Sequence, residues 1–294
     1  MSRIKDYFYL LIFYFLNFLL KLIPNKILKF FANLIGSLAF RINKKHKNII
    51  LKNLEHFCKL TQAPKSIEIT KQVYKKFAFY ILSMVKNQNI SQEKLLKQIK
   101  LFKNEEYLQD LLSANAKIVF TTAHYGYWEI LPSAVAIKFN CKINVIGRAL
   151  ESAKINAILT KYRENFGVKL IEKTNALRPM IKALNSNELV GIVSDQDAHI
   201  KESSEFILYG RKVTQSNAAS LIAKRCDAYL LPVYIYEISD GYCIEFFKPL
   251  KASEKTIEEL SFYQLECTKK MWEKNPSEYF WFHKRFKTFY EDEY

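Results

Sequence analysis

The sequence predicts an α/β fold: a mostly parallel sheet flanked by helices, preceded by a helical, membrane-associating N-terminal region. Three observations carry that reading. From about residue 117 to residue 274, short apolar runs alternate with helix-length amphipathic stretches, the pattern of a parallel sheet with crossover helices. Residues 25 to about 110 instead repeat apolar positions every three or four residues, with few breakers. The first 24 residues are a nearly continuous aromatic and aliphatic run.

That run comes first in the chain. Arg3, Lys5 and Asp6 precede apolar residues from Tyr7 to Leu20, broken by Asn17 and closed by Lys21-Leu22-Ile23-Pro24. A membrane-spanning helix needs about 20 apolar residues, and this one falls just short. No small-residue cleavage site follows it, so it does not read as a signal peptide. Basic residues on both sides give no clear orientation. The expectation is an anchor helix over residues 1–24 that lies in the bilayer interface or barely spans it. The alternative is a helix buried in the core, but Phe and Tyr on nearly every face exceed what one apolar stripe needs.

Helical patterns then cover Ile27 to Phe40, Ile67 to Lys86 and Ser91 to Phe102. Strands are expected at 117–122, 142–146, 168–171, 189–193 and 229–236, the last pairing with 242–247. Helices are expected between them at 128–139, 153–166, 176–185 and 216–224, with a terminal one at 256–274. No repeat and no Pro/Gly linker divides the chain. The expected organisation is therefore an anchor at 1–24, a helical region at 25–110 packing on the core, and an α/β core at 111–294.

Composition narrows the function. Half the 294 residues are hydrophobic and a quarter charged, which excludes global disorder. Seven glycines are too few for a glycine-rich phosphate cradle to be expected. Forty-five Lys and Arg against 29 Asp and Glu leave a net charge of +16. Such a field attracts phosphates, anionic lipid headgroups or an acidic protein, without choosing among them. The cysteines Cys58, Cys141, Cys226, Cys243 and Cys267 are far apart and form no C-x-x-C, as expected of reduced thiols rather than a disulfide framework or cysteine-rich metal site.

Among five histidines, His124 stands out. It follows the strand ending Thr121-Thr122, where active sites of α/β sheets gather. Glu129 lies five residues on, across a turn loosened by Gly126. A carboxylate on one ring nitrogen fixes the tautomer and leaves the other nitrogen to take a proton from a hydroxyl. By itself the spacing is a weak signal.

Thr122-Ala123-His124-Tyr125-Gly126-Tyr127-Trp128-Glu129 resembles the His-x4-Asp/Glu motif of the lysophospholipid acyltransferase superfamily. More narrowly, the chain is similar to the late acyltransferases of lipid A biosynthesis, the lauroyl/myristoyl transferases. Ile146-Gly147-Arg148 stands where that family has Tyr-Arg-Pro. Tyr162-Arg163-Glu164-Asn165-Phe166-Gly167 matches its Arg-containing helix end, and Ser194-Asp195-Gln196-Asp197 its Asp-x-Asp segment. Pro276-Ser277-Glu278-Tyr279-Phe280-Trp281-Phe282-His283-Lys284-Arg285-Phe286-Lys287 resembles the terminal Pro-Glu-Gln-x-x-Trp-x-His-Arg-Arg-Phe-Lys signature, the most specific part of the likeness. The chain departs from the pattern in three places: Ala149 follows Arg148 in place of Pro, the region after His199 lacks a Gly-Pro turn, and Glu278 stands one place late.

The resemblance implies transfer of a fatty acyl chain from acyl carrier protein thioester to a hydroxyl of a Kdo-bearing, phosphorylated lipid A precursor. It implies a bacterial inner-membrane enzyme with its core on the cytoplasmic side, needing no metal and no cofactor beyond the donor. His124 would be general base and Glu129 would orient it. Arg148 or Arg163 would bind the oxyanion or a phosphate, with Asp195 holding one of those arginines and Asp197 beside it. His283 and Arg285 are further candidates. No G-x-S-x-G elbow occurs, so no acyl-enzyme is expected.

Each assignment has a plainer alternative. Arg148 and Arg163 would be solvated charges, Asp195, Asp197 and His199 metal ligands, and His283 and Arg285 packing residues beside Trp281. Rival functions are an acyltransferase acting on another membrane lipid, a noncatalytic membrane scaffold, and a nucleic-acid-binding protein. The last is disfavoured by dispersed Lys and Arg and the lack of any recognition motif.

Overall fold

The computed structural model of the protein describes residues 2–58, 63–147 and 153–294. Four helices come first: α1 (Ser2–Leu22), α2 (Asn25–Ile42), α3 (Lys44–Cys58) and α4 (Ala63–Lys86). A short α5 (Gln92–Leu96), strand β1 (Ile99–Lys103) and α6 (Glu106–Ser113) lead into the sheet. There follow β2 (Ile118–Thr122), α7 (Leu131–Phe139), β3 (Ile143–Gly147), α8 (Ala153–Arg163), β4 (Val168–Glu172), α9 (Leu177–Asn185) and β5 (Leu189–Val193). A hairpin of β6 (Ser203–Leu208) and β7 (Arg211–Ser216) precedes α10 (Ala218–Arg225), β8 (Tyr229–Ile238), β9 (Gly241–Phe246) and β10 (Leu250–Lys251). The chain ends with α11 (Ile257–Lys274), an irregular segment and α12 (Lys287–Tyr290).

The main sheet runs in the order β1-β9-β8-β2-β5-β3-β4, with β10 pairing β8. Strands β8, β2, β5, β3 and β4 are mutually parallel, and β9 runs antiparallel to β8. All five residues of β2 are buried. Ile118 and Phe120 point into one apolar layer and Val119 into the opposite one, as period-two side chains must. A strand apolar on both faces belongs at the centre of a helix-covered parallel sheet, and that is where β2 lies. The expected α/β core is present.

Two local expectations fail. Residues 91–102 are not one helix: α5 stops at Leu96 and Ile99–Lys103 joins the sheet edge beside β9. Leu95, Ile99 and Phe102 keep helical spacing, but pairing with β9 decides the conformation, and Lys100 and Lys103 are the charged residues an edge strand carries. The β6–β7 hairpin was not anticipated. Its two-residue turn, Tyr209-Gly210, has positive φ at both positions (53° and 80°), yet lacks the Asn-Gly or Asp-Gly dipeptide that usually announces such a turn.

The N-terminal helices do not sink into the core. Helix α2 packs Leu28, Ala32 and Gly36 against α4, while Phe30, Leu34 and Leu38 are more than half exposed. On α1, Asn17 explains the break in the apolar run, since its side chain donates to the Val85 carbonyl of α4 at 2.5 Å. Leu11, Phe15, Phe18 and Leu22 face outward. Among the described residues, no helix is long and apolar enough to cross a membrane.

A second apolar centre ties the first half of the chain to its end. Trp272 of α11 lies 5.1 Å from Trp281 and 4.8 Å from Tyr279 between ring centroids, and Phe57 of α3 packs 5.4 Å from Trp281. Trp281 is fully buried. Truncation of so large a core side chain costs about 3–5 kcal/mol. Trp281→Ala should therefore lose that order of stability in denaturant unfolding followed by circular dichroism; a midpoint equal to wild type would show that this cluster does not hold the fold.

Candidate active site

Strand β2 ends at Thr122, and the chain leaves the sheet through Ala123-His124-Tyr125-Gly126. Gly126 has φ +59°, and a Cβ there would lie 2.0 Å from the Ile235 carbonyl oxygen of β8, so only glycine fits. The turn is held from outside. The Phe280 amide donates to the His124 carbonyl at 2.9 Å, and the Gly126 amide donates to the Glu278 carbonyl at 3.0 Å. Tyr125 and Tyr279 form an isolated antiparallel bridge between them. The C-terminal segment thus fixes the backbone that carries the histidine.

His124 Nδ1 lies 2.9 Å from Asp195 Oδ1. The strands explain the meeting. Strands β2 and β5 are parallel with Thr122 opposite Val193, so His124 and Asp195 are each two residues past a paired position. Asp195 is buried and His124 about a quarter exposed at its side chain. Burial works to depress the His124 pKa, but the Asp195 charge and hydrogen bond override it and hold the imidazole above its ordinary value. Burial likewise works to raise the Asp195 carboxyl, and the facing imidazole instead keeps it well below the usual range. A carboxylate accepts from Nδ1–H, which leaves Nε2 as the free basic nitrogen.

The sequence expectation paired these carboxylates the other way round. Glu129 is not on the imidazole. It stands in a 3-10 turn (Trp128–Ile130) ahead of α7, and its carboxylate takes a bidentate pair of bonds from Arg163, 2.9 Å from Nε and 2.6 Å from Nη2. The guanidinium fork matches both oxygens, whereas Asp195 meets the ring because strand register delivers it there. Asp195, correspondingly, holds the histidine and not an arginine. Arg163 lies beside Gly147 at the carboxyl end of β3, and its Nη1 makes no hydrogen bond among the described residues. Arg148 lies outside the described residues.

The remaining candidates separate from the pair. Asp197 accepts from Thr214 Oγ1 (3.2 Å), the Thr288 amide (3.3 Å) and Thr288 Oγ1 (2.8 Å), which fastens α12 to β7. His199 Nδ1 accepts from the Lys201 amide on an exposed turn. Among the described residues, no group of three or more His, Cys, Asp or Glu side chains is placed to hold a metal ion. Arg285 is fully buried with its guanidinium 5.9 Å from the Trp272 ring, in the packing position anticipated as its plainer alternative. His283 supports the site from behind: its Nδ1 is 2.9 Å from the Phe280 carbonyl, and its Nε2 is 3.3 Å from the Tyr279 hydroxyl, which also reaches the Asp195 carbonyl at 3.2 Å. Burial pushes the His283 pKa down to about 4, so this ring stays neutral.

Sequence reasoning missed three residues that build this support. Asn53 of α3 donates to the carbonyls of Trp281 (2.9 Å) and His283 (2.7 Å) and accepts from the Arg285 amide (3.1 Å). A polar residue among Ile49, Ile50, Leu54 and Phe57 on the buried stripe of an amphipathic helix was its signal. Lys76 of α4 bonds Glu237 at 2.5 Å and Glu278 at 3.2 Å. Tyr80 donates to Glu278 Oε2 at 3.3 Å.

Beside the pair, rings gather. Trp128 lies 5.2 Å and Phe280 5.9 Å from the His124 ring, and Phe77 of α4 packs 4.9 Å from Phe280. They line a shallow, nearly closed crevice of about 10 Å³ that continues past Tyr80 and Phe282.

An α/β sheet with a histidine–carboxylate pair and an aromatic crevice at its carboxyl edge is an architecture suited to chemistry on an apolar substrate. Residues 1–288, nearly the whole chain, match the family model of the bacterial lipid A biosynthesis acyltransferases. The chain belongs to that family and is an acyltransferase that works with an acyl donor and a glycolipid acceptor. No curated protein matches it.

The pair makes a prediction that needs no turnover. In an NMR titration of labelled histidines, His124 should titrate above 6.5, the ordinary imidazole value, and His283 should stay neutral down to about pH 4. Asp195→Asn removes the charge that chiefly opposes burial, so the His124 titration should move to lower pH. A His124 curve unmoved by Asp195→Asn would show that the two groups are not coupled.

Proposed function

We propose that the enzyme moves a fatty acyl chain from acyl carrier protein thioester to a hydroxyl of a Kdo-bearing, phosphorylated lipid A precursor, with its α/β core on the cytoplasmic side of the bacterial inner membrane. The His124–Asp195 pair, with the rings of Trp128 and Phe280 against the imidazole, is the observation that carries this reading. The acceptor hydroxyl gives its proton to His124 Nε2 as its oxygen attacks the thioester carbonyl. The tetrahedral oxyanion then collapses, the carbon–sulfur bond breaks, and the thiolate recovers the proton from the imidazolium. Asp195 holds the tautomer and offsets the imidazolium charge.

The transfer balances without a cofactor and without an acyl-enzyme. No described cysteine suits nucleophilic attack: burial raises the thiols of Cys226 and Cys243, and pushes Cys141 to about 11 and Cys267 to about 12, far from thiolate at neutral pH. Arg163 is the group to meet developing negative charge, because Glu129 fixes its plane while Nη1 is unspent. Arg148, the residue after Gly147 in the sequence, is a second candidate for an acceptor phosphate.

The exposed rows on α1 and α2 favour contact with a bilayer. Leu11, Phe15, Phe18 and Leu22 on the first helix, and Phe30, Leu34 and Leu38 on the second, form more apolar surface than a soluble face leaves open. Helices of this kind lie in the interface with their apolar side in the lipid.

Acyl transfer in detergent tests the reading, using purified protein, a panel of acyl carrier protein thioesters and a tetra-acylated, Kdo-bearing lipid A precursor. Transfer should occur and should fall by about 10²–10⁴ in His124→Ala, the usual contribution of a general base. Near-normal turnover in folded His124→Ala would remove the base. Transfer to a glycerophospholipid instead of the precursor would move the acceptor to another lipid class.

A further inference from the structure

A second concavity lies farther along the same sheet edge. Gly126 abuts the Ile235 carbonyl of β8. Three residues on, about 10 Å at the rise of a strand, Ile238 and Gly241 floor a basin of about 480 Å³ that α4, α5 and the start of α2 wall in. Six lysines line it: Lys26, Lys29, Lys86, Lys94, Lys97 and Lys100. Only two carboxylates, Glu237 and Asp240, face them. Glu237 is already shared between Lys29 at 2.6 Å and Lys76 at 2.5 Å. Lys86 is turned aside, bonding the Ile23 carbonyl (2.6 Å) and Asn25 Oδ1 (2.8 Å). Lys97 meets Glu93 in a solvent-exposed pair worth little. Lys26, Lys94 and Lys100 make no ion pair among the described residues and are exposed.

So many cations around one concavity repel each other unless an anion joins them. The basin's position indicates which anion. Its rim at Asn25, Lys26 and Lys29 is the first turn of α2, directly after the turn from α1, and Leu22, Ile27 and Phe30 beside it are exposed. Lysines bordering an apolar interfacial face sit at headgroup depth when that face meets lipid.

We propose that this lysine basin binds the phosphate-bearing headgroup of a lipid whose chains lie against the outer face of α1 and α2. The inference rests on the bilayer contact proposed above. Two sources share the chemistry: the phosphorylated acceptor glycolipid and an anionic phospholipid of the membrane. Either one would anchor the enzyme with its crevice facing the lipid.

The test uses the full chain and a triple variant, Lys26→Gln, Lys94→Gln and Lys100→Gln, with Lys169→Gln, Lys182→Gln and Lys270→Gln as a charge-matched control far from the basin. Flotation is measured with phosphatidylcholine vesicles and with vesicles mixing phosphatidylcholine and phosphatidylglycerol. Wild type and control should bind the mixed vesicles more tightly, by on the order of tenfold or more, and salt should erase the difference. The basin variant should bind both vesicles alike. In detergent without phospholipid, a raised KM for the phosphorylated acceptor in the basin variant would identify the acceptor as the source, and an unchanged KM would identify the membrane phospholipid. A basin variant that keeps the wild-type preference overturns the proposal. So does one that keeps it and loses only affinity for acyl carrier protein, which would assign the lysines to protein docking. Absence of wild-type binding to either vesicle would overturn the bilayer contact and the basin together, while leaving the transfer assay as an independent judge of the reaction.

Discussion

The site depends on two backbone hydrogen bonds made by residues about 150 positions away in the chain. His124 sits on a turn with no regular structure of its own, next to a glycine that no other residue can replace. A carbonyl and an amide of that turn are satisfied by Phe280 and Glu278. Buried backbone groups must find partners, so the turn and the C-terminal segment form each other. This makes the terminal signature intelligible as architecture. Trp281 and Phe286 sink into the apolar centre with Trp272 and Phe57, Asn53 ties off the carbonyls between them, and the exposed edge left over presents Phe280 to the histidine. His283, a catalytic candidate in the linear sequence, bonds the Phe280 carbonyl and the Tyr279 hydroxyl of that edge, and Arg285 is buried against Trp272.

Electrostatics repeat the same division of labour. A buried carboxylate is costly unless paired, and three acids near the site each face a basic side chain. Asp195 faces His124, Glu129 faces Arg163, and Glu278 faces Lys76. Burial works to raise the Glu278 carboxyl and outweighs the opposing Lys76 charge, which leaves it above the ordinary glutamate value. In the proposed transfer, proton exchange falls to the His124–Asp195 pair, whose imidazole remains about a quarter exposed. His283, a second imidazole near the same aspartate, is kept out of this exchange because burial makes its charged form unfavourable.

Much of this was legible in the sequence, for reasons that differ by element. Strands β2 and β5 are apolar on both faces and short, so composition alone marks them as central and parallel. The position of His124 after β2 then follows from topology. What spacing cannot supply is strand register. The separation of His124 from Glu129 is five residues and that from Asp195 is seventy-one, yet Thr122 opposite Val193 makes the distant carboxylate the neighbour. Local sequence distance favoured the wrong acid, and tertiary pairing decided. The β1 edge strand failed in the same manner, since the helical spacing of Leu95, Ile99 and Phe102 said nothing of an unfilled edge at β9. Asn53 and Lys76 were invisible for another reason: each acts through partners roughly 200 residues later, and neither belongs to a motif.

Helix α4 joins the parts that the sequence keeps separate. Its Phe77 and Tyr80 wall the crevice beside His124, its Lys76 reaches the Glu278 that braces the histidine turn, and Ser83 and Lys86 wall the lysine basin. Its outer side receives Leu28, Ala32 and Gly36 of α2 and the Asn17 side chain of α1. A single rigid helix therefore sets the distance between the apolar outer face and the basic nitrogen of His124. Movement of α1 and α2 relative to the core would have to break a buried asparagine bond and unpack small residues lying directly on α4, so the apolar face and the reacting edge are held in register as one body. Under the proposed bilayer contact and acyl transfer, that coupling would fix the depth at which the histidine meets a glycolipid acceptor.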